Sequence, residues 1–171
     1  MKRITALIVV ALMFVSVSAF AKVGVVNFQK VLTTSDAGKT VHKKLQQKAD
    51  EFDAELKKIS DRVTAIQQEY EKQESLLTPE AKDAKRAEVN RLVREFQGMK
   101  EDSSKRLRRM ESRELQTIEE DVIAIVDKLG KELGYELIIE MQTAGVMYFS
   151  EKINITDIVI ERYNKEWNAN Q

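Results

Sequence analysis

Cysteine is absent from this chain of 171 residues. Thiol nucleophiles, thiolate metal sites and disulfide staples are therefore all excluded. The single histidine, His42, cannot build a paired-imidazole metal site, and a lone histidine on a charged helix is ordinarily solvated. Proline occurs once, at Pro79, and aromatic residues make up only 6% of the chain. With a third of its residues charged, such a chain cannot lean on a large aromatic core or on loop-stiffening prolines. It must rely on helices.

One apolar run stands apart from this pattern. Lys2 and Arg3 precede Ile4 to Val17, and Ala19-Phe20-Ala21 places small residues at the two positions that a signal peptidase inspects. Fourteen residues fall short of the roughly 20 that span a bilayer. Residues 1–21 are thus predicted to be a secretory signal peptide cleaved near Ala21, which implies an exported protein that a bacterial periplasm would suit. The remaining 150 residues hold 26 basic and 28 acidic side chains, a net charge of −2. An exported, slightly acidic chain is a poor partner for nucleic acid.

Lys22 to Phe28 (KVGVVNF) is β-branched and apolar and reads as a buried strand. From Val41 onward the period changes. Leu45, Phe52, Ile59, Ile66 and Gln73 recur every seven residues, and Ala49, Leu56, Val63, Tyr70 and Leu77 follow four residues behind them. Two interleaved seven-residue tracks form a coiled-coil seam, broken only at Gln73. Pro79 suits the first turn of a new helix, and Thr78 before it is a natural N-cap. A second apolar stripe then runs from Val89 through Leu92, Phe96, Met99, Leu107, Met110, Ile118 and Ile125 to Leu129, ending near Gly134. Folding the two helices back about Thr78 sets Phe52 near Ser104, Val63 near Val93 and Ile66 near Asn90. The stretch Lys100 to Lys105 (KEDSSK) leaves a polar gap, where the hairpin is expected to be loosely held.

Beyond Gly134, Tyr135 to Glu140 (YELIIE) alternates, with Tyr135, Leu137 and Ile139 on one face. Thr143-Ala144-Gly145 is placed to turn the chain so that Val146 to Phe149 pairs back as a second strand. Thr156 is expected to cap a terminal amphipathic helix carrying Ile158, Val159, Tyr163 and Trp167. The fold class is therefore α+β, mostly α. Residues 22–38 and 115–171 form a small β-rich head, and residues 39–114 form a long antiparallel helical hairpin with its tip at 75–80.

One stretch imitates a nucleotide site. Ser35-Asp36-Ala37-Gly38-Lys39-Thr40 ends as a Walker loop does, between a strand and a helix. The loop needs a glycine five residues before Gly38, where this chain has Thr33, and β-branched residues resist the required backbone. Gly38-Lys39-Thr40 is a helix start, capped by Ser35 or Asp36. No constellation of catalytic residues occurs, so no enzymatic activity, cofactor or metal is expected.

Charge is spread unevenly. Residues 79–114 hold 11 basic and 8 acidic side chains, a net of +3, whereas the head segments hold 7 and 12, a net of −5. Lys105-Arg106 and Arg108-Arg109 are the densest basic stretch and suit acidic clients or lipid head groups. Phe96, Met99, Leu107 and Met110 lie beside them. Together these eight are the expected client-contact residues. A head of about 75 residues with three strands is expected to be marginal alone by surface-to-volume scaling. Val23, Val25, Leu137, Ile139, Val146 and Tyr148 are thus the expected oligomer interface, covering strand edges.

The whole mature chain resembles the Skp/OmpH family of periplasmic chaperones. The resemblance rests on Lys22 to Phe28, Ala37-Gly38-Lys39, the long hairpin, Tyr135 to Ile139 and Ile155-Thr156-Asp157-Ile158, in that order and spacing. It implies a homotrimer joined through the head, whose three arms enclose a cavity for unfolded outer-membrane proteins. It further implies an ATP-independent holdase, with lipid or lipopolysaccharide as an additional peripheral contact. A structural tether that docks a fixed partner through the hairpin tip is the competing function for the same architecture.

Overall fold

A computed structural model describes residues 21–170, so the signal-peptide expectation for residues 1–20 lies outside the described residues. The chain is α+β and overwhelmingly helical, as its periodicity requires. In order it forms β1 (Val23–Val26), α1 (Phe28–Thr34), α2 (Asp36–Gln73), α3 (Pro79–Leu133), β2 (Leu137–Glu140) and α4 (Thr156–Ala169), with a short 3₁₀ turn at Glu151–Ile153. At about 1.5 Å per residue, α2 and α3 extend roughly 57 and 83 Å. No described helix is long and apolar enough to cross a membrane.

Local chemistry sets the helix ends. Ser35 caps α2, its hydroxyl accepting from Gly38 N–H at 3.1 Å. Gly38 is required there because a Cβ would stand 1.8 Å from the Leu32 carbonyl oxygen. Thr78 caps α3 through Ala81 N–H at 3.2 Å, with Pro79 in the first turn. Gly134 ends α3 at φ 68°, a left-handed conformation that suits glycine. Lys22 adds its ammonium to the Leu133 carbonyl at 2.7 Å, where the negative end of the helix dipole lies.

Three expectations need correction. The strand stops at Val26, and Asn27 caps a separate helix, α1, by accepting from Lys30 N–H at 2.9 Å. Val146–Phe149 does not pair with β2. Instead β2 lies parallel to β1, with Val23 opposite Leu137 and Val26 opposite Glu140. The Glu140 carboxylate explains the difference. It accepts from Thr143 N–H and from Phe28 N–H, curling residues 141–145 into a turn against α1 rather than a hairpin. Partial burial pushes the Glu140 carboxyl upward, but these N–H donors outweigh it and hold the group below the usual carboxylate range. Thr156, finally, is the first residue of α4 rather than its side-chain cap. Its buried hydroxyl accepts from Asn27 N–H at 2.9 Å and donates to Asn154, joining the end of β1 to α4.

The buried residues fall into two clusters. The larger combines Val26, Val31, Ala37, Ile118, Val122, Ile125, Leu129, Ile155, Val159 and Tyr163. It draws on both ends of the chain, so the head closes only around the root of the hairpin. The smaller lies far along the arm, where Ile59, Ile66 and Leu92 pack with Val63, Val89, Phe96 and Met99.

Candidate functional site: the arm surface

Between the two clusters the arm is thin, and the polar gap expected at Lys100–Lys105 falls here. The structure closes it. Ser103 is 6% exposed and Phe52 8%. Both side chains are buried, where a loose and solvated contact was expected. Ion pairs fix the register on either side: Lys44 with Glu114, Arg62 with Glu88 at 2.8 Å, and Glu69 with Lys85 at 3.1 Å. These pairs are partly or wholly solvated, and each contributes at most about 1 kcal/mol. Apolar packing holds the distal arm, around Ile59, Ile66 and Leu92.

The consequence is surface. Phe96, Met99, Leu107 and Met110 are each half-buried, with one side on the seam and the other toward solvent. Beside the Phe52 layer an open groove of about 700 Å³ has Phe52 and Met110 at its floor and Lys48, Arg106, Arg109 and Arg113 along its walls. Lys48 lies 5.3 Å from the Phe52 ring centre, a cation–π distance. Of the expected basic contacts, Lys105 pairs with Glu101, and Arg106 pairs with Asp102 at 2.7 Å. The hydrogen bond from Lys105, reinforced by its charge, holds the Glu101 carboxyl below its ordinary range. Arg108 donates to Ser104 at 2.9 Å, facing away from the groove that Arg109 lines. The eight residues therefore do not form one site. Arg106, Arg109 and Met110 meet around Phe52, while Phe96 and Met99 belong to the distal cluster.

Sequence reasoning placed Phe52 in the seam but overlooked Lys48 and Arg113 as its companions. Their spacing carries the signal, since Lys48 stands four residues before Phe52 and Arg113 four after Arg109.

The head residues divide as well. Val25 is only 3% exposed and is covered by its own chain, with Val23, Ile139 and Val146 half-buried. Leu137 is 52% exposed and Tyr148 87%. Met147 and Ile123 are also open to solvent, neither foreseen as a surface residue. At the far end of the arm Leu76 is 84% exposed at the hairpin turn. Among the described residues no acidic or histidine cluster could hold a metal ion.

The profile of the family described as outer membrane protein (OmpH-like) matches residues 22–163. No protein of curated function matches significantly. Among solved structures, a candidate outer membrane chaperone (OmpH-like) from Caulobacter crescentus superimposes with a TM-score of 0.79 at 15% identity, covering 86% of each chain. At that identity the likeness concerns the fold.

Proposed function

This chain belongs to the OmpH-like family, and from that premise we propose that it is an ATP-independent periplasmic holdase for unfolded outer-membrane proteins. Three copies join through the head, their hairpins enclosing the cavity in which a client is held. The arm carries this reading: two helices of 38 and 55 residues project from a small core and leave half-buried Phe96, Met99, Leu107 and Met110 beside unbalanced positive charge. An unfolded barrel strand alternates apolar and polar side chains, and a thin apolar seam flanked by arginines meets both. Methionine and long basic stems adjust to unlike sequences, which a rigid pocket does not allow.

No step in such binding needs a nucleotide, since capture and release follow the affinity of the client for the arms against its affinity for the next partner. The basic groove around Phe52 also fits peripheral contact with lipid or lipopolysaccharide, and cleavage near Ala21 would deliver the mature chain to the periplasm. The deciding experiment measures light scattering of a diluted, unfolded outer-membrane barrel protein with and without mature protein. Suppression at near-stoichiometric trimer supports the holdase, and undiminished aggregation overturns it. Leu76, exposed at the tip, favours the second reading, a tether docking a fixed partner. A tether would leave aggregation unchanged and lose partner binding on Leu76→Ser.

A further inference from the structure

The residue that leader removal would make the N-terminus is already part of the folded head. Ala21 is exposed and lies outside any element, but pairing starts at the next residue. The Lys22 carbonyl accepts from Glu136 N–H at 2.9 Å, and the Lys22 ammonium donates to the Leu133 carbonyl at 2.7 Å. The same ammonium stands 4.2 Å from the centre of the Tyr135 ring. Val23 then lies opposite Leu137 in the parallel pair. The other edge of β1 is covered too, where Val25 bridges Asn154 and the Val25 carbonyl accepts from Ile155 N–H. Val25 and Val26 are buried in consequence. The chain is therefore fixed from Lys22 onward.

Every partner of this strand arrives late. Lys22 and Leu133 are 111 residues apart, and Asn27 and Thr156, which tie down the far end of β1, are 129 apart. The helices α1, α2 and α3, by contrast, are started by caps three residues away. A chain exported N-terminus first thus presents β1 unpaired until most of its length has crossed. Contacts that close so long a loop are also slow to form.

An endopeptidase holds its substrate extended, much as an added strand is held. A bond flanked by residues already in a sheet is therefore cut only through local opening. Here the flank on the product side is Lys22-Val23, where the sheet begins. Hydrolysis adds one water across the Ala21–Lys22 amide, leaving a carboxylate on Ala21 and an ammonium on Lys22. We infer that closure of the head shuts this processing site. A peptidase that reads Ala19 and Ala21 cuts while β1 is unpaired, and the bond is protected once residues 133–156 close on the strand. Leader removal is thereby ordered before folding of the head. This order rests on the leader reading of residues 1–21 and adds to it when the cut can be made.

Full-length precursor, Met1–Gln171, and purified bacterial leader peptidase in detergent micelles supply the test. Trp167, the only tryptophan, packs against the head core and reports closure by its fluorescence. Val25→Asp puts a carboxylate in the buried strand and keeps β1 unpaired without touching the cleavage residues. Folded wild-type precursor should be cut more than about 100-fold more slowly than this variant, since only the opened fraction is a substrate. A third precursor carries about six Gly/Ser residues between Ala21 and Lys22, roughly 20 Å of extended chain. It should show wild-type Trp167 fluorescence yet be cut at the fast rate. Folded wild-type precursor cut as fast as Val25→Asp would overturn the inference and leave the leader reading intact. So would a spacer precursor that stays protected, because something other than β1 would then shield the bond. Failure of all three precursors to be cut at Ala21 would remove the leader reading itself, and the proposed order with it.

Discussion

Gly38→Ala and Gly98→Ala add the same methyl group to two helices and should shift stability in opposite directions. At Gly38 the new Cβ would stand 1.8 Å from the Leu32 carbonyl oxygen and 2.7 Å from its carbon. Both are backbone atoms, so no side-chain rotation relieves the clash, and the corner between α1 and α2 must open by roughly 1 Å, since close Cβ contacts occur only near 3 Å and beyond. Opening it disturbs the Ser35 cap and lifts Val31 out of full burial. Overpacking costs about 1–3 kcal/mol and a weakened cap about 1 kcal/mol more, giving a loss of roughly 2–4 kcal/mol. At Gly98 nothing lies within 4 Å of the new atom, and the residue is exposed in the middle of α3. There alanine should gain about 1 kcal/mol of helix propensity. Urea melts followed by helical circular dichroism read both, at one protein concentration, because assembly makes apparent stability concentration-dependent. With a slope of roughly 2 kcal/mol per molar urea, the midpoints should move down by about 1–2 M and up by about 0.5 M. A Gly38→Ala midpoint matching wild type would refute the crowded corner, and a lowered Gly98→Ala midpoint would refute the open arm surface.

Two further perturbations probe the waist of the arm and the buried tyrosine of the head. Ser103, 6% exposed, sits in the seam, so Ser103→Leu should overpack it and cost about 1–3 kcal/mol in the same melts, whereas a truly loose gap would accept leucine with a gain. Tyr163, 2% exposed, donates to Asp121 at 3.3 Å. Burial, and then the Asp121 charge, push its hydroxyl well above the ordinary tyrosine value. The folded state thus holds a proton that the unfolded state releases above about pH 10, so stability from this group is intact below pH 10 and falls as pH rises beyond it. Tyr163→Phe should cost about 1 kcal/mol at pH 7. The gap to wild type should narrow by up to about 1.4 kcal/mol per pH unit between pH 10 and 11. A constant gap across that range would show that the hydroxyl is not held neutral.

Features that depend on residues near one another in sequence were legible from the chain alone. The seven-residue tracks announced α2 and its seam, Ser35-Asp36 and Thr78 announced two helix starts, the first of which the structure assigns to Ser35, and Gly134 announced the end of α3. Threonine at position 33 sufficed to turn a nucleotide-loop imitation into a capped helix. Each rests on the backbone geometry of a few consecutive residues, which local side chains control. The groove around Phe52 was half legible: Phe52, Arg106, Arg109 and Met110 were picked out, but Lys48 and Arg113 were missed, and so was their convergence.

Tertiary structure decided what depends on partners distant in the chain. Whether Leu137–Glu140 paired with Val146–Phe149 or with Val23–Val26 was open from propensity, since either offers β-branched or aromatic residues. The Glu140 carboxylate accepting from Phe28 N–H and the Thr156 hydroxyl accepting from Asn27 N–H support the parallel pairing across more than a hundred residues, while Thr143 N–H bonds Glu140 locally. The apparent polar gap closed for a similar reason, because a serine reads as polar until tertiary packing buries it. Side-chain pattern sets which face of an element is apolar; only packing sets which apolar face it meets.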